Sequence, residues 1–434
     1  MLLARPRAVA SRSLLGAALL AAGLTALAAC GGSGQAGGRP QALGRLAIGR
    51  LRPGVEPSPQ AQVLARDNGH GGMALYRVLS EQPGNVVFSP WAVQAAMGMM
   101  YLGAQDATAA EIRQAMGWSQ EPSDWGPAWD NLASVVATGA SASDELELAT
   151  GSRLFLAQGA RVVPSYQQLL TDTFAADSVQ LDFAGDADGS RQTINAWVED
   201  QTAGRIQGLL PAGTIDPATS LVQTAALRLK ARWQHRMVQA SARSLEFIDE
   251  AGEAHPLAPL ELRAQLPYQA NSEFQAAVLP YAGSSLAMVL IRPAGGLGTV
   301  EATLDGNRLA ALWEEMEPRR LSVSLPPFDF PHQAELSEAL ARLGLVDAGT
   351  TAAHFQILEN VPLAIAGIFE QAHIAVDENG TEAEAAAAVI GEATSAPLPD
   401  TSEPIAFVLD RPFLFLIVDQ AAKAILFIGR FSTP

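Results

Sequence analysis

The sequence predicts an α+β fold, in which helices pack on one or more large and mostly antiparallel sheets. The chain has 434 residues, of which 48% are apolar and only 17% are charged. This composition is enough for one large core or two ordinary ones. Segments with helical spacing of apolar residues alternate with short β-rich runs, and the chain closes with two apolar strand candidates, 412–418 and 424–431.

The amino terminus has the features of a secretion signal over residues 1–29. Arg5, Arg7 and Arg12 precede an apolar run over residues 14–29. The run ends in Leu-Ala-Ala-Cys, which resembles the lipobox of bacterial lipoproteins, so Cys30 is expected to carry a lipid and to become the first mature residue. The alternative is an ordinary cleaved signal with a chance cysteine; a retained membrane helix is disfavoured because the run is short. We therefore expect an extracytoplasmic protein, lipid-anchored at a bacterial outer membrane or cell surface, or secreted.

Residues 30–64 are rich in glycine, proline, glutamine and arginine without hydrophobic periodicity, which indicates a flexible tether before a folded domain over 65–434. The formal charge of the chain is −17, and removal of the three signal arginines makes it −20. Nucleic acid is therefore a poor partner. Because Cys30 is the only cysteine, the chain has no intramolecular disulfide, no thiol catalysis and no thiolate zinc site.

Apolar residues at helical spacing predict one helix from about Asp67 and a second over 90–102. Thr108 and Glu111 form a Thr-x-x-Glu capping box, which predicts a third, short helix that opens at Thr108. Farther along, strands are predicted at 154–156, 221–229, 276–291 and 321–325, and helices at 194–198, 309–316 and 336–345.

Residues 378–389 have the alternation of a strand that has no obvious partner. In a strand, the small side chains of Thr381, Ala383, Ala385, Ala387 and Val389 face one side, and Glu382, Glu384, Ala386 and Ala388 face the other. Gly380 is expected to be the pivot before this segment, with an ordinary turn glycine as the alternative. The run 385–388 could also form a helix, since alanine is the best helix former.

An ordered set of short motifs resembles the serpin family over residues 67–434. The motifs are Asn-Val-Val-Phe-Ser-Pro at 85–90, Leu-Gly-Ala at 102–104, Thr-Ala-Ala-Glu-Ile at 108–112, Ile-Asn-Ala-Trp-Val at 194–198, Gly-Arg-Ile-Gln-Gly-Leu-Leu-Pro at 204–211, Trp233, Leu-Pro-Tyr at 279–281, Leu-Pro-Pro-Phe at 325–328, the hinge at 377–383, Arg-Pro-Phe-Leu-Phe at 411–415 and Leu-Phe-Ile-Gly-Arg at 426–430. Each motif alone is weak, but eleven in one order and spacing are a strong signal.

The resemblance implies a single domain of three sheets and eight or nine helices, with an exposed reactive loop over about 378–410. Inhibitory members of the family are suicide substrates. A serine protease attacks the loop, and the cleaved loop then inserts as a strand of the main sheet, which traps the protease in a covalent 1:1 complex. The positions that match the hinge are Glu378, Gly380, Thr381, Ala383, Ala385, Ala386 and Ala387. We expect a monomer.

Counting fourteen residues on from Gly380, as in typical members, places the reactive bond at Thr394-Ser395. The following stretch is longer than is usual in the family, so Ala396 and Leu398 remain alternatives. No Lys or Arg occurs between Thr381 and Asp410. Small residues near the bond therefore favour an elastase-like or subtilisin-like target.

The sequence departs from the family where the main sheet opens. The common pattern has a second serine three positions after Ser89, an asparagine before Ala226 and a histidine on the strand ahead of the hinge. Those positions align with Ala92, Ala225 and Glu370. Glu370 is expected to be paired, neutral or exposed, because a buried and unpaired carboxylate is costly.

Nothing in the sequence favours an enzyme. The six histidines form no metal-spaced pair, and there is neither a Gly-x-Ser-x-Gly nor a His-Glu-x-x-His motif. We therefore predict a protease inhibitor without metal or cofactor. The competing hypothesis is a non-inhibitory serpin-like binding protein, whose loop is cleaved without trapping the protease. The small residues at the inward hinge positions favour the inhibitor.

Overall fold

The structure is a computed structural model that describes residues 2–6, 52, 54–143, 145–350, 352–359, 363–381 and 403–434. Its helices are α1 (Pro59–Leu79), α2 (Pro90–Gly103), α3 (Asp106–Ala115), α4 (Pro122–Ala140), α5 (Pro164–Phe174), α6 (Ala187–Gln201), α7 (Leu297–Thr303), α8 (Gly306–Glu315) and α9 (Ser337–Arg342), with a 3-10 turn at Asp347–Gly349.

The strands fall into three sheets. They are β1 (Leu2–Pro6), β2 (Val86–Phe88), β3 (Leu146–Ala157), β4 (Asp177–Leu181), β5 (Leu221–Arg232), β6 (Val238–Gln239), β7 (Leu245–Ile248), β8 (Ala254–Leu257), β9 (Leu260–Ala270), β10 (Phe274–Pro280), β11 (Leu286–Pro293), β12 (Glu317–Leu325), β13 (Phe328–Glu335), β14 (Leu363–Val376), β15 (Gly380–Thr381), β16 (Ile405–Val408), β17 (Phe413–Asp419) and β18 (Ala424–Phe431). This mixture of several sheets and helices confirms the predicted α+β class.

The main sheet has seven strands and is interrupted in the middle. On one side β13 pairs with β14, and on the other β5 pairs with β3, which pairs with β4. Between β14 and β5 lie two short strands, β15 at one end and β1 at the other. The sheet therefore holds two pieces of a central strand instead of a continuous one.

The second sheet runs in the order β16-β12-β9-β10-β11-β17-β18-β2, with β6 beside β9, and the third is the hairpin β7-β8. Both closing strands were predicted, and β17 and β18 are buried at every position. Such continuous burial on both faces is typical of central strands. The second sheet, the main sheet and most of the helices share one large hydrophobic core, while α6 packs in a smaller cluster with β3 and β5.

The helix starts follow local chemistry. Ser58 precedes α1 and its Oγ accepts the N–H of Ala61 at 3.1 Å, while Pro59 occupies the first turn, where a missing N–H costs nothing. Helix α1 therefore begins inside the stretch that the sequence analysis assigned to the tether, and residues 59–64 are helical. Among the described residues, no helix is both long and apolar enough to span a membrane.

The capping box predicted at Thr108 is wrong. Helix α3 begins two residues earlier, at Asp106, and Thr108 lies inside it. The Thr108 hydroxyl accepts the N–H of His354 at 2.8 Å, and the Glu111 carboxylate accepts the N–H of Val346 at 2.8 Å, at the 3-10 turn. The two side chains that the sequence pattern assigned to the start of the helix therefore bind backbone N–H groups of residues that are distant in the sequence.

Candidate functional site

The turn from β14 into the hinge is fixed by hydrogen bonds. Asp377 follows β14, and its Oδ1 accepts the N–H groups of Asn379 at 2.7 Å and Gly380 at 3.0 Å. Such an Asx turn reverses the chain without help from the rest of the fold. Trp233 Nε1 donates to the Asp377 carbonyl at 3.0 Å, and the Trp233 N–H donates to the Asn379 carbonyl at 2.9 Å. The hinge is therefore tied to the residue that follows β5.

Gly380 is required for a reason other than the predicted one. Its φ angle is not in the left-handed region. A Cβ placed on Gly380 would instead lie 2.0 Å from the carbonyl oxygen of Ala231 on β5. The glycine thus permits a close approach of the hinge backbone to β5, which no residue with a side chain allows.

Thr381 faces the core, as the alternation predicts. It is only 2% exposed, pairs with Val376 on β14 and Ala231 on β5, and its Oγ1 lies 2.6 Å from the Tyr281 hydroxyl. Tyr281 stacks on Trp233 with ring centroids 4.8 Å apart, and burial raises the pKa of its phenol. The family pattern pointed to Trp233 and Tyr281, but nothing in the sequence indicated that they hold the hinge.

Tyr281→Phe is expected to loosen the hinge. The substitution leaves the buried Thr381 hydroxyl without its partner, at a cost of about 1 to 3 kcal/mol. A lower midpoint of chemical unfolding and faster limited proteolysis near residue 380 would be measured. The double variant Tyr281→Phe with Thr381→Val removes both polar groups and should recover most of the loss. Additive losses in the double variant would contradict the coupling.

A slot runs from the hinge along the middle of the main sheet. Among the described residues, β14 and β5 do not pair with each other, and nothing pairs with the slot side of residues 369–375 or 224–230. At the far end, β1 pairs antiparallel with both walls: Leu2 lies opposite Ile368 on β14 and Gln223 on β5. The sequence analysis assigned residues 2–6 to the signal and did not predict this strand.

The walls of the slot present alternate side chains to the core. On β14 these are Val376, Ile374, Ala372, Glu370 and Ile368, all buried; on β5 they include Ala231, Leu229, Leu227 and Gln223. The outer face carries charged residues that fasten each wall to its neighbour. Arg232 pairs with Glu145 on the β3 side at 2.6 Å, and His373 pairs with Asp329 on β13 at 2.7 Å. Each wall is thus a paired half-sheet, and the slot lies between them.

Ser89 and Glu370, the two residues assigned to the sheet-opening region, meet under the slot. The Ser89 hydroxyl donates to the Leu426 carbonyl at 2.8 Å and accepts the N–H of Ala92 at 3.0 Å, which caps α2. The Ser89 N–H donates to Glu370 Oε1 at 3.0 Å. Ala92 supplies no side-chain donor, and Glu370 Oε2 has no hydrogen-bond partner among the described residues.

Glu370 is buried, being only 5% exposed, so the exposed alternative is wrong. Burial raises the pKa of its carboxyl to about 8, against the smaller opposing effect of the Ser89 hydrogen bond. A carboxyl in this state is largely neutral at pH 7. The alternative of a neutral Glu370 therefore agrees with the structure.

Several predicted site residues lie outside the described residues. They are Cys30, the hinge positions Ala383, Ala385, Ala386 and Ala387, and the reactive-bond candidates Thr394, Ser395, Ala396 and Leu398. The described hinge residues are Glu378, whose carbonyl accepts the N–H of Met237 at 3.2 Å, together with Gly380 and Thr381. The predicted loop region 378–410 also contains β16, which pairs in parallel with β12 in the second sheet.

One group of potential metal ligands lies away from the slot, in the β7-β8 hairpin. Ligand atoms of Asp249, Glu253 and His255 lie within 4.8 Å of one another. Asp249 is already engaged, because Oδ2 lies 2.9 Å from His255 Nε2 and Oδ1 accepts the N–H of Glu253 at 2.8 Å. These bonds shape the hairpin turn, and we assign no metal to it.

The fold defines a protein whose main sheet is parted in the middle, with β14 and β5 unpaired between the short strands β15 and β1. The family model described as Serpin (serine protease inhibitor) matches residues 66–434, and this chain belongs to that family. Human Serpin B8 is 31% identical over 86% of this chain and 99% of its own length. The leukocyte elastase inhibitor of Bos taurus is 30% identical with the same coverage.

Among solved structures, a cleaved Serpin 42Da is similar, with a TM-score of 0.75 and 26% identity over 86% of this chain and 99% of that one. The serpin resemblance inferred from the motifs is therefore confirmed. Members of this family are in general protease inhibitors and not enzymes.

Proposed function

We propose that this serpin is a serine protease inhibitor that acts as a suicide substrate. The protease serine attacks the reactive bond and forms an acyl-enzyme, and the freed loop enters the slot as a strand of the main sheet. The protease, still esterified to the loop, is carried along and its active site is deformed. One observation carries the proposal: Gly380 and Thr381 already pair between β14 and β5 at the head of the slot.

The register of the hinge supports insertion of the following residues. Each step forward along the loop from Thr381 moves one residue back along β14 and along β5. Residue 389 then falls opposite Ile368 and Gln223, the same two residues that pair with Leu2. Counting along β14 and along β5 thus gives the same register, and the open stretch of the slot corresponds to residues 382–388.

The alternation of the loop suits the walls. In this register Ala383 would face the core between Ile374 and Leu229, and Ala385 would face it between Ala372 and Leu227. These wall residues are buried. Alanine side chains can enter such a position with little displacement, whereas bulky or charged ones cannot.

The length of the slot favours the predicted reactive bond, Thr394-Ser395. Pro6 of β1 pairs with Leu363 at the far end of β14, after a one-residue bulge. Once signal cleavage has removed residues 1–29, loop residue 393 can take that place in the same register. A cut after Thr394 therefore frees a strand that just spans β14, and a cut after Ala396 or Leu398 leaves a longer overhang.

We propose elastase-like or subtilisin-like serine proteases as targets, in a covalent 1:1 complex with a monomeric inhibitor. The small residues around Thr394 and the absence of Lys and Arg from the loop support this class. A relative that carries the name leukocyte elastase inhibitor is consistent with it. We also propose that Cys30 carries a lipid anchor and that the protein lies outside the cytoplasm, at an outer membrane or cell surface, or is secreted if Cys30 is not modified.

The second candidate function is a binding protein whose loop is cut without trapping a protease. The buried Glu370 carboxyl in the floor of the slot favours this candidate, because it would slow insertion whenever it is ionised. The two functions differ in one measurable outcome, which is the fate of the protease after cleavage.

The test uses the mature chain, residues 30–434 with Cys30→Ser, mixed with pancreatic elastase or a subtilisin. We expect a band on denaturing gels at the combined mass, loss of protease activity, and a cut at Thr394-Ser395 by mass spectrometry. The matched variant Thr394→Arg should transfer inhibition to trypsin, whose acidic pocket binds a basic anchor. Cleavage with full protease activity remaining would sink the inhibitor proposal and support the second candidate.

A further inference from the structure

Among the described inward-facing side chains of β14 and β5, Glu370 is the one ionisable group, and it faces the path of the inserting strand. Glu370 occupies an inward position of β14, six residues before the end of that strand. In the register set by Thr381, the loop residue that arrives opposite Glu370 is Ala387. A methyl group neither donates nor accepts a hydrogen bond, so it cannot compensate a charge beside it.

The carboxyl of Glu370 has only one protein hydrogen bond. The Ser89 N–H satisfies Oε1 at 3.0 Å, and Oε2 has no partner among the described residues. A cavity of about 10 Å³ lies beside it, which is room for one water molecule at most. Its lining is otherwise mostly apolar and includes Ala92, Leu227 and Phe427.

No described group supplies a lasting countercharge to this carboxyl. The amino terminus of the chain stabilises the charged form, but the predicted signal cleavage removes it. On β13, His332 lies opposite Ala372, and burial lowers the pKa of its imidazole, which favours the neutral form. On β18, Arg430 is bonded to the Gly84 carbonyl at 2.8 Å and lies 3.3 Å from Glu301.

We propose that insertion of the loop is proton-coupled: Glu370 must be neutral when Ala387 packs beside it, so the insertion step takes up one proton from solvent whenever this carboxylate is ionised. The inference rests on the proposed function, because insertion is the step that it regulates. The proton is bound at the carboxyl and no other bond changes. Insertion closes the open side of the slot and excludes water from Glu370, which makes the charged form still less favourable.

The proposal predicts that trapping weakens in alkaline solution. An insertion that requires the neutral carboxyl slows by up to about tenfold per pH unit once the group is mostly ionised, while hydrolysis of the acyl-enzyme continues. The number of inhibitor molecules consumed per protease inactivated should therefore rise between pH 6.5 and 9.5. Glu370 thus acts as a positioning residue for the reaction, and the pH profile distinguishes that role from a merely structural one.

The experiment measures this consumption ratio with a subtilisin at half-unit pH steps for the mature chain and three variants. Glu370→Gln, which is neutral at every pH, should equal the parent at pH 6.5 and stay flat up to pH 9.5. Glu370→His should also stay flat over this range, because burial lowers the pKa of an imidazole and favours its neutral form. Glu335→Gln, an exposed carboxyl on the neighbouring β13, is the matched control and should follow the parent.

A second measurement is independent of trapping. The loop is cut with a protease that is not inhibited, and the rate at which the cleaved chain becomes heat-stable is followed against pH. Parallel pH profiles for the parent and Glu370→Gln in both measurements would overturn the inference and leave the proposed function intact. A different outcome would overturn the proposed function and support the inference. In that outcome no denaturation-resistant complex forms at any pH, but the rate of heat stabilisation depends on pH in the parent and not in Glu370→Gln. A cleaved chain that never becomes heat-stable would overturn both.

Discussion

Thr381→Arg is expected to abolish inhibition while cleavage of the loop continues at its normal rate. Thr381 is buried between Val376 and Ala231, with its hydroxyl on Tyr281, so an arginine there would place an unpaired guanidinium in the core. Before cleavage the hinge can avoid this cost by leaving the sheet, but the inserted strand cannot, so a penalty of about 3 kcal/mol corresponds to more than a hundredfold loss in the insertion equilibrium. The acyl-enzyme would then hydrolyse before the loop enters the slot, and the inhibitor would become a substrate.

The measurement is the yield of denaturation-resistant complex, compared with the yield of cleaved chain. Thr381→Ser keeps the hydroxyl and should inhibit almost normally. Glu382→Arg places the same charge one position later, where the alternation predicts an outward side chain, and should also inhibit. Equal complex yields from Thr381→Arg and Glu382→Arg would contradict insertion in this register.

Glu370→Gln is expected to stabilise the protein at pH 8 but not at pH 4.5. Burial raises the pKa of this carboxyl from 4.5 to about 8 in the folded protein. As pH rises from about 4.5 to 8, the unfolded chain releases the Glu370 proton while the folded chain retains it. The parent therefore loses unfolding free energy relative to the variant, by about 1.4 kcal/mol per pH unit, or several kcal/mol over the window.

Chemical unfolding at pH 4.5, 6, 7 and 8 tests this prediction. The midpoints of the parent and Glu370→Gln should diverge steadily above pH 4.5 and stop diverging above pH 8, where the folded carboxyl also ionises. The glutamine keeps an oxygen for the Ser89 N–H, so the hydrogen bond at 3.0 Å survives the substitution. A constant offset at all four pH values would show that Glu370 is not held neutral by burial.

The sequence predicted the elements that depend on local pattern. The helix over 90–102 and the strands over 221–229, 321–325 and 424–431 were all found close to their predicted limits. Helix α4 was not predicted, although Pro122 at its first turn is a recognised start signal. Apolar periodicity and helix starts are properties of a few neighbouring residues, and such properties can be read from the chain directly.

Features that depend on a distant neighbour were predicted less well. Glu111 accepts N–H groups from residues 346–348 and not from its own helix, so the capping box at Thr108 was misassigned. Gly380 was assigned as a flexible pivot, but the structure shows a close approach to Ala231 instead. In both cases the residue type was informative, while the reason for it lay more than a hundred residues away.

The sequence by itself determined the family, and it predicted the inward position of Thr381, because alternation along a strand is a local property. Only the tertiary structure decided that β14 and β5 are parted and that β1 and β15 pair with these two strands in the same register. It also decided that Glu370 is buried under the slot. Those facts depend on which strands meet across the sheet and on how much water reaches a side chain. Long-range packing sets both.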